Sequence, residues 1–261
     1  MGAGEARVLL RHILNCDEAH LIARAERALS TEERGRFKTL VARRAAGEPI
    51  AYLIGAREFY SLAFNVTPAV LIPRPETELL VELALERIPR DAPCRVLELG
   101  AGSGCIAIAI ARHRPRARLT ATDVSADALA LARENARING ARNVEWVQSD
   151  WYAALAGQRF DLVVANPPYV AAGDRHLNEG DLRFEPRRAL IAGPDGLECI
   201  RLIIAQAREH LAADGWLLFE HGYDQAARCR ELLEDAGYAQ VFSSHDFAGL
   251  ERVSGGRTPR V

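Results

Sequence analysis

Apolar positions recur at helical spacing through the first stretch of the chain. Val8, Leu9 and Ile13 fall on one helical face, as do Leu21, Ile22, Ala25 and Leu29. Ser30-Thr31-Glu32-Glu33 reads as a capping box, with Ser30 as N-cap and Glu33 reaching back, and Phe37, Leu40 and Val41 continue the helix it starts. Together these segments predict a small helical bundle with a solvated, Arg- and Glu-rich surface. Gly47-Glu48-Pro49 interrupts the pattern. The stretch 52–72 then reads as short extended pieces, with a hairpin formed by 57–60 and 62–66 around a turn at Ser61. Pro73 and Pro75 enforce an extended entry to the next helix. Pro75 is suited to its first position, and Leu79, Leu80, Leu83 and Ala84 share one side.

From Arg95 onward the period alternates between two and 3.6. Strands are predicted at 95–99, 118–123, 144–148 and 160–165, with helices at 104–112 and 126–139 between them. A helix near 197–211, a strand at 216–220 and a helix at 225–236 follow. Strands near 240–242 and 251–253 are close enough to pair antiparallel, and the Gly/Pro/Arg-rich tail 254–261 reads as a fraying end. This alternation predicts an α/β fold, a mostly parallel sheet covered by helices on both faces.

Composition changes that picture little. A chain of 261 residues has room for one catalytic domain and a small partner. A net charge of −2 with scattered arginines gives no footprint for tight duplex binding, so no stable nucleic-acid partner is expected. Five cysteines without a CxxC pair predict reduced thiols, and no metal is expected. No run reaches the roughly 18–20 apolar residues of a membrane span. Glu5, Asp17 and Glu18 make the N-terminus a poor signal peptide, and a cytoplasmic protein is expected.

Candidate chemistry gathers at the carboxyl ends of the predicted strands, where open α/β sheets bind ligands. The first strand runs into Gly100-Ala101-Gly102-Ser103-Gly104, a turn in which glycine lets backbone N–H groups approach a ligand. Its GxGxG spacing does not fulfil the GxGxxG dinucleotide fingerprint. The second strand ends at Asp123, nineteen residues past Gly104, where an acid can accept from both hydroxyls of a ribose or cap the helix starting near Ser125. After the third strand, Asp150 can accept an adenine amino proton and Trp151 can pack on its face, or the two can serve as cap and core.

The fourth strand ends in Asn166-Pro167-Pro168-Tyr169. Two prolines stiffen the loop and remove two N–H donors. What remains is acceptor-rich, with the Asn166 side-chain oxygen and the Pro167 carbonyl suited to an –NH₂ group and Tyr169 offering a flat face to a planar amide or base. An amide or aromatic amine is a poor nucleophile because its lone pair is delocalised. Two acceptors hold its protons, favour pyramidal geometry and aim the lone pair at a sulfonium methyl.

With GEPIAYLIGAREFYSLAFNV over 47–66, LIPRPETE over 71–78, LELGAGSG, SDW, NPPY, GPDGLE over 193–198 and HDFAGLERV over 245–253, the chain resembles the release-factor glutamine methyltransferases along nearly its full length. NPPY alone is shared with DNA adenine and RNA guanine methyltransferases, so LIPRPETE is the more specific signal. The resemblance implies a Rossmann-like class I methyltransferase with a mostly parallel seven-stranded sheet, preceded by a helical bundle. It implies methyl transfer from S-adenosylmethionine, leaving S-adenosylhomocysteine, to the N5 amide of the Gly-Gly-Gln glutamine in class 1 peptide-chain release factors. Residues 1–70 would recognise the factor and 71–261 form the catalytic domain. Gly100, Ala101, Gly102, Ser103, Gly104, Asp123, Asp150, Trp151 and Asn166 would bind the cofactor. Asn166, Pro167, Pro168 and Tyr169 would hold the glutamine, with Pro73 and Arg74 walling the site. The family often has threonine where this chain has Ala101, which removes one hydroxyl and keeps the glycine geometry. Methylation of an exocyclic amine on DNA or RNA is the alternative activity, and a non-catalytic adaptor role is a third.

Overall fold

The computed structural model describes residues 2–259; Met1, Arg260 and Val261, the last two from the expected tail, lie outside the described residues. Helix α1 (Ala3–Leu14) buries Leu9 and Ile13. Helix α2 (Glu18–Ala23) is capped by Asp17, and α3 (Thr31–Ala45) carries the expected reciprocal box between Ser30 and Glu33. An Arg44–Glu5 ion pair at 2.8 Å ties α3 to α1.

Two expectations for the next segment divide. The hairpin is present as β1 (Ala56–Phe59) and β2 (Leu62–Asn65), paired antiparallel from Ala56↔Asn65 to Phe59↔Leu62. Both residues of its turn, Tyr60 and Ser61, have positive φ, the type I′ geometry that matches strand twist. Residues 52–54, read as extended, instead belong to helix α4 (Ile50–Ile54). Pro49 is compatible with a helix start, Gly55 closes the helix in the left-handed region, and burial of Ala51, Tyr52 and Leu53 outweighs the short length.

A 3-10 turn, Pro75–Thr77, leads into α5 (Glu78–Arg87). Its buried face is Leu80, Val81, Leu83 and Ala84, so Val81 takes the place expected for Leu79, which is half-buried. The α/β body then runs through β3 (Arg95–Leu99), α6 (Cys105–His113), β4 (Arg118–Asp123), α7 (Ala126–Asn139), β5 (Val144–Gln148) and β6 (Phe160–Ala165). It closes with α8 (Glu198–His210), β7 (Leu211–Glu220), α9 (Ala226–Asp235), β8 (Ala239–His245) and β9 (Glu251–Arg257).

The seven-stranded sheet has the order β5-β4-β3-β6-β7-β9-β8, parallel except for β9, which runs antiparallel between β7 and β8. The expected α/β sheet with covered faces is therefore present. Apolar strands such as Leu97, Leu99, Val163 and Ala165 are fully buried because helices cover both sides. Chain order reverses between β3 and β6, which places a topological switch point, and hence a crevice, at their carboxyl ends.

The tail is corrected as far as Arg257. Residues 254–257 do not fray but complete β9 inside the sheet. Gly255 and Gly256 are there for close approach: a Cβ at Gly255 would meet a Leu218 methyl carbon at 2.5 Å, and one at Gly256 would meet the Tyr238 Cβ at 2.8 Å.

The β1–β2 hairpin shares the core of the α/β body, with Phe59 and Phe64 packed among residues of α5 and α6. Asn135 of α7 fastens it, accepting from the Asn65 amide at 2.8 Å and donating to the Asn65 carbonyl at 3.0 Å and to the Ser103 carbonyl at 2.9 Å. All five cysteines are unpaired, three of them buried. No helix among the described residues is long and apolar enough to cross a membrane.

Candidate active site

The glycine turn after β3 is built by backbone hydrogen bonds. The Ala101 amide donates to the Thr122 carbonyl at 2.8 Å, and the Gly104 amide closes back on the Ala101 carbonyl at 2.7 Å. Gly100, Gly102 and Gly104 all have φ between +53° and +81°, the left-handed region that favours glycine. Their surroundings differ. Added Cβ atoms at Gly100 and Gly102 would meet open space, whereas one at Gly104 would strike Trp146 at 2.8 Å and Ala132 at 3.0 Å. Gly104 serves helix–sheet packing, and the first two face a cleft.

Asp123, at the end of β4, has both carboxylate oxygens engaged. One accepts from the Gly102 amide at 2.9 Å and the other from the Ser125 amide at 2.8 Å. Ser125, not Asp123, caps α7, its hydroxyl accepting from the Ala128 amide at 3.2 Å. An ionised carboxylate has further lone pairs for hydroxyl donors. Asp150 stands exposed at the cleft, with Trp151 half-buried beside it at φ +47°.

Two acidic residues that sequence reasoning passed over shape the site from below. Glu98 in β3 is 1% exposed, and one of its oxygens accepts from the Ala107 amide in the first turn of α6 at 2.9 Å. Its other oxygen is buried in the cleft wall without a partner. Burial pushes the Glu98 carboxyl up to about 8, the Ala107 amide opposing and Asp123 adding to the shift. Glu220, the last residue of β7, is equally buried and accepts from the Thr77 hydroxyl at 2.6 Å and the Tyr169 hydroxyl at 3.0 Å. Burial raises its pKa, and these two donors hold it down in part. The signal for both was in the sequence: a charge within an otherwise apolar strand, LEL and LLFE.

The loop after β6 divides between cleft and core. Asn166 and Pro168 line the cleft, Pro167 between them is buried, and Tyr169 is anchored by Glu220 instead of presenting a flat face to the opening. Burial and the adjacent Glu220 raise the Tyr169 pKa. The Asn166 Nδ2 donates to Thr77 Oγ1 at 3.1 Å. The GPDGLE stretch supports the loop from the far side. Val170 and Ile191 form a parallel bridge, and a Cβ at Gly196 would collide with the Tyr169 carbonyl.

Pro73 and Arg74 lie in the opposite wall with Thr77. Glu185, whose side chain is completely buried, accepts from the Ile72 amide at 3.0 Å and pairs with Arg74. This contact draws the 174–192 loop over the crevice, where Arg188 donates to the Ser125 hydroxyl at 3.1 Å. One continuous cleft thus contains Gly100–Ser103, Asp123, Asp150, Trp151, Asn166 and Arg74. It combines an open glycine turn, carboxylates on two strands (Glu98, Asp123) and in the loop after a third (Asp150), and a proline-stiffened loop.

The chain is similar to known proteins in sequence and in fold. Residues 3–55 match the family described as PrmC N-terminal domain, and residues 76–181 match Methyltransferase small domain. The release factor glutamine methyltransferase of Burkholderia pseudomallei (strain K96243) is 55% identical over 265 residues, covering 99% of this chain and 93% of its own. The protein of the same name from Escherichia coli (strain K12) is 46% identical, covering 97% and 91%. A methyltransferase from Pyrococcus furiosus shares the fold, with a TM-score of 0.59 at 19% identity over 84% of this chain and 98% of that one.

Proposed function

The chain belongs to the release factor glutamine methyltransferase family, and we propose that it methylates the side-chain amide nitrogen of the Gly-Gly-Gln glutamine in class 1 peptide-chain release factors, with S-adenosylmethionine as donor. Four features of the cleft fit that donor. Gly100 and Gly102 leave open space beside backbone N–H groups, and Asp123 can accept from ribose hydroxyls. The unpartnered oxygen of Glu98 is suited to an ammonium, because a buried acceptor without a donor is costly and a cation relieves it. Asp150 and Trp151 line the same cleft and are suited to an adenine, the carboxylate to its amino group and the ring to its face.

S-adenosylmethionine supplies, when bound, an electrophilic methyl group on a sulfonium. The chain supplies the orientation of the nucleophile. The observation that carries the reading is the Asn166 amide: with Nδ2 tied to Thr77, its carbonyl end is left for the substrate. Asn166 Oδ1 and the Pro167 carbonyl accept the two N–H groups of the glutamine amide. They hold its nitrogen in place and stabilise positive charge developing there. Pro73 and Arg74 wall the entrance for the Gly-Gly-Gln segment. We assign recognition of the remainder of the factor to 1–70, chiefly the α1–α3 bundle, and the chemistry to 71–261.

Incubation with donor and a full-length release factor, followed by peptide mass spectrometry, tests this reading. One methyl on the Gly-Gly-Gln glutamine, reduced about 10²-fold or more in rate by Asn166→Ala, is expected. Labelling of DNA or RNA with none on the factor would overturn it.

A further inference from the structure

Asn166 is not held by its own loop. Its partner is Thr77, eighty-nine residues earlier, and Thr77 in turn is bound to Glu220. Strand register explains the meeting. Ala165 of β6 pairs with Phe219 of β7, so the next residues lie side by side at the carboxyl edge of the sheet, Asn166 just past β6 and Glu220 as the last residue of β7. Pro75–Thr77 lies over both. The last residue of the same loop, Tyr169, donates to the other oxygen of Glu220.

The direction of this chain of hydrogen bonds is fixed by valence. Both oxygens of Glu220 face hydroxyl donors, Thr77 at 2.6 Å and Tyr169 at 3.0 Å, and these favour its ionised form against the effect of burial. An ionised carboxylate can only accept, so the single hydroxyl proton of Thr77 is committed to Glu220. Thr77 Oγ1 can then only accept from Asn166. The amide must turn its NH₂ to Thr77 at 3.1 Å, and its carbonyl is left for the cleft. With a side chain able to donate at position 220, the hydroxyl would be free to reverse. Asn166 could then flip and present two donors to an –NH₂ substrate, which repels it. Burial makes the arrangement rigid, since Thr77 is 2% and Glu220 1% exposed and neither can exchange its partner for water.

We propose that Glu220 is a positioning residue for methyl transfer: as an acceptor-only group it sets, through Thr77, which end of the Asn166 amide meets the substrate. It touches neither substrate nor donor. This inference rests on the reading that Asn166 accepts from the glutamine amide.

The test uses the full chain with Thr77→Val, which keeps shape and removes the hydroxyl, Thr77→Ser, which keeps the hydroxyl, and Glu220→Gln. Thr77→Val and Glu220→Gln should each lower kcat about 10-fold or more while donor affinity stays within about twofold, and Thr77→Ser should recover most of the turnover. In an Asn166→Ala background neither should cost anything further, because each acts through the amide already removed. Losses that multiply with Asn166→Ala would overturn the proposal, as would a Thr77→Ser variant as slow as Thr77→Val. A second readout does not need activity. The Asn166 side-chain NH₂ resonances, identified by their absence in Asn166→Ala, should be slow to exchange in the parent protein and fast in Thr77→Val and Glu220→Gln. Unchanged exchange in both variants would overturn the relay even if the parent methylates its factor. Changed exchange in a parent that labels no factor would leave the relay standing and remove the proposed substrate.

Discussion

The Gly102 amide donates to the Asp123 carboxylate at 2.9 Å, joining the glycine turn after β3 to the end of β4. Asp123 pins the turn, and in the function proposed above its remaining lone pairs would accept from a ribose. Asp123→Ala should weaken donor binding by about 1.5–3 kcal/mol, roughly 10- to 100-fold in Kd, through loss of charge-assisted hydrogen bonds. Calorimetry on the purified variant measures this directly. An unchanged Kd would take ribose binding away from Asp123.

Glu98 gives a prediction in pH. Its carboxyl titrates at about 8 in the folded chain because burial disfavours the charge, against 4.5 ordinarily. Between these values the folded state keeps a proton that the unfolded chain has lost. The stability contributed by Glu98 is thus complete below about pH 4.5 and is lost as pH rises through about 8. Glu98→Gln carries no such proton, so its Tm should fall less than the parent's as pH is raised from 5 to 8.5. At the alkaline end the variant should be the more stable, by about 2–4 °C for each kcal/mol recovered. The same variant should bind the donor less well, since an ammonium is better held by a carboxylate. Binding to the parent at pH 7 should release a proton, visible as a calorimetric heat that depends on the buffer's ionisation enthalpy. Buffer-independent heat would remove Glu98 from contact with the ammonium.

Local pattern carried most of the catalytic body. The boundaries read for 95–99, 118–123, 126–139, 144–148 and 160–165 coincide with β3, β4, α7, β5 and β6, because each has a strong period and a sharp punctuation. The positions of the glycine turn, Asp123, Asp150 and Asn166 follow from those strand ends. What the pattern could not supply is partnership over long separations. Glu185 meets Ile72 across 113 residues and Glu220 meets Thr77 across 143, and neither pairing leaves a local trace. Glycine was also ambiguous. Gly255 and Gly256 look like a loose end in sequence and prove to be the only side chains thin enough for β9 to lie against Leu218 and Tyr238.

The two kinds of glycine in the 100–104 turn can be separated by substitution. Gly104→Ala adds a Cβ against Trp146, Ala132 and Ile108 in a backbone with φ of +81°, so strain and overpacking combine. A loss of about 2–5 kcal/mol in urea unfolding is expected, from about 1–2 for the left-handed backbone and about 1–3 for the collision. Gly102→Ala has the same backbone cost and no collision, and its methyl enters the cleft. It should lose only about 1–2 kcal/mol of stability but should bind the donor poorly. Equal destabilisation by the two would show that Gly104 is not packed as described.

Glu185 links the 174–192 loop to the wall of the site, and both consequences of removing it are measurable. Its side chain has no solvent exposure, and it satisfies the Ile72 amide and Arg74 together. Glu185→Ala leaves a buried N–H without a partner, which costs about 1–3 kcal/mol. The loss of the ion pair adds less than a fully buried pair would, because Arg74 is 28% exposed and water can solvate it. Glu185→Gln keeps one acceptor and should fall between parent and Ala in Tm. Arg183, Arg187 and Arg188 make the loop a substrate for trypsin, and the cleavage rate reports how often it leaves the cleft. Cleavage at these arginines should accelerate in Glu185→Ala and be slowed again by saturating donor, since Pro186, Arg188 and Ala189 of the closed loop line the cleft the donor would fill and so would contact it. A loop cut no faster in Glu185→Ala than in the parent would show that other contacts, such as the Arg188–Ser125 hydrogen bond, hold it closed without Glu185.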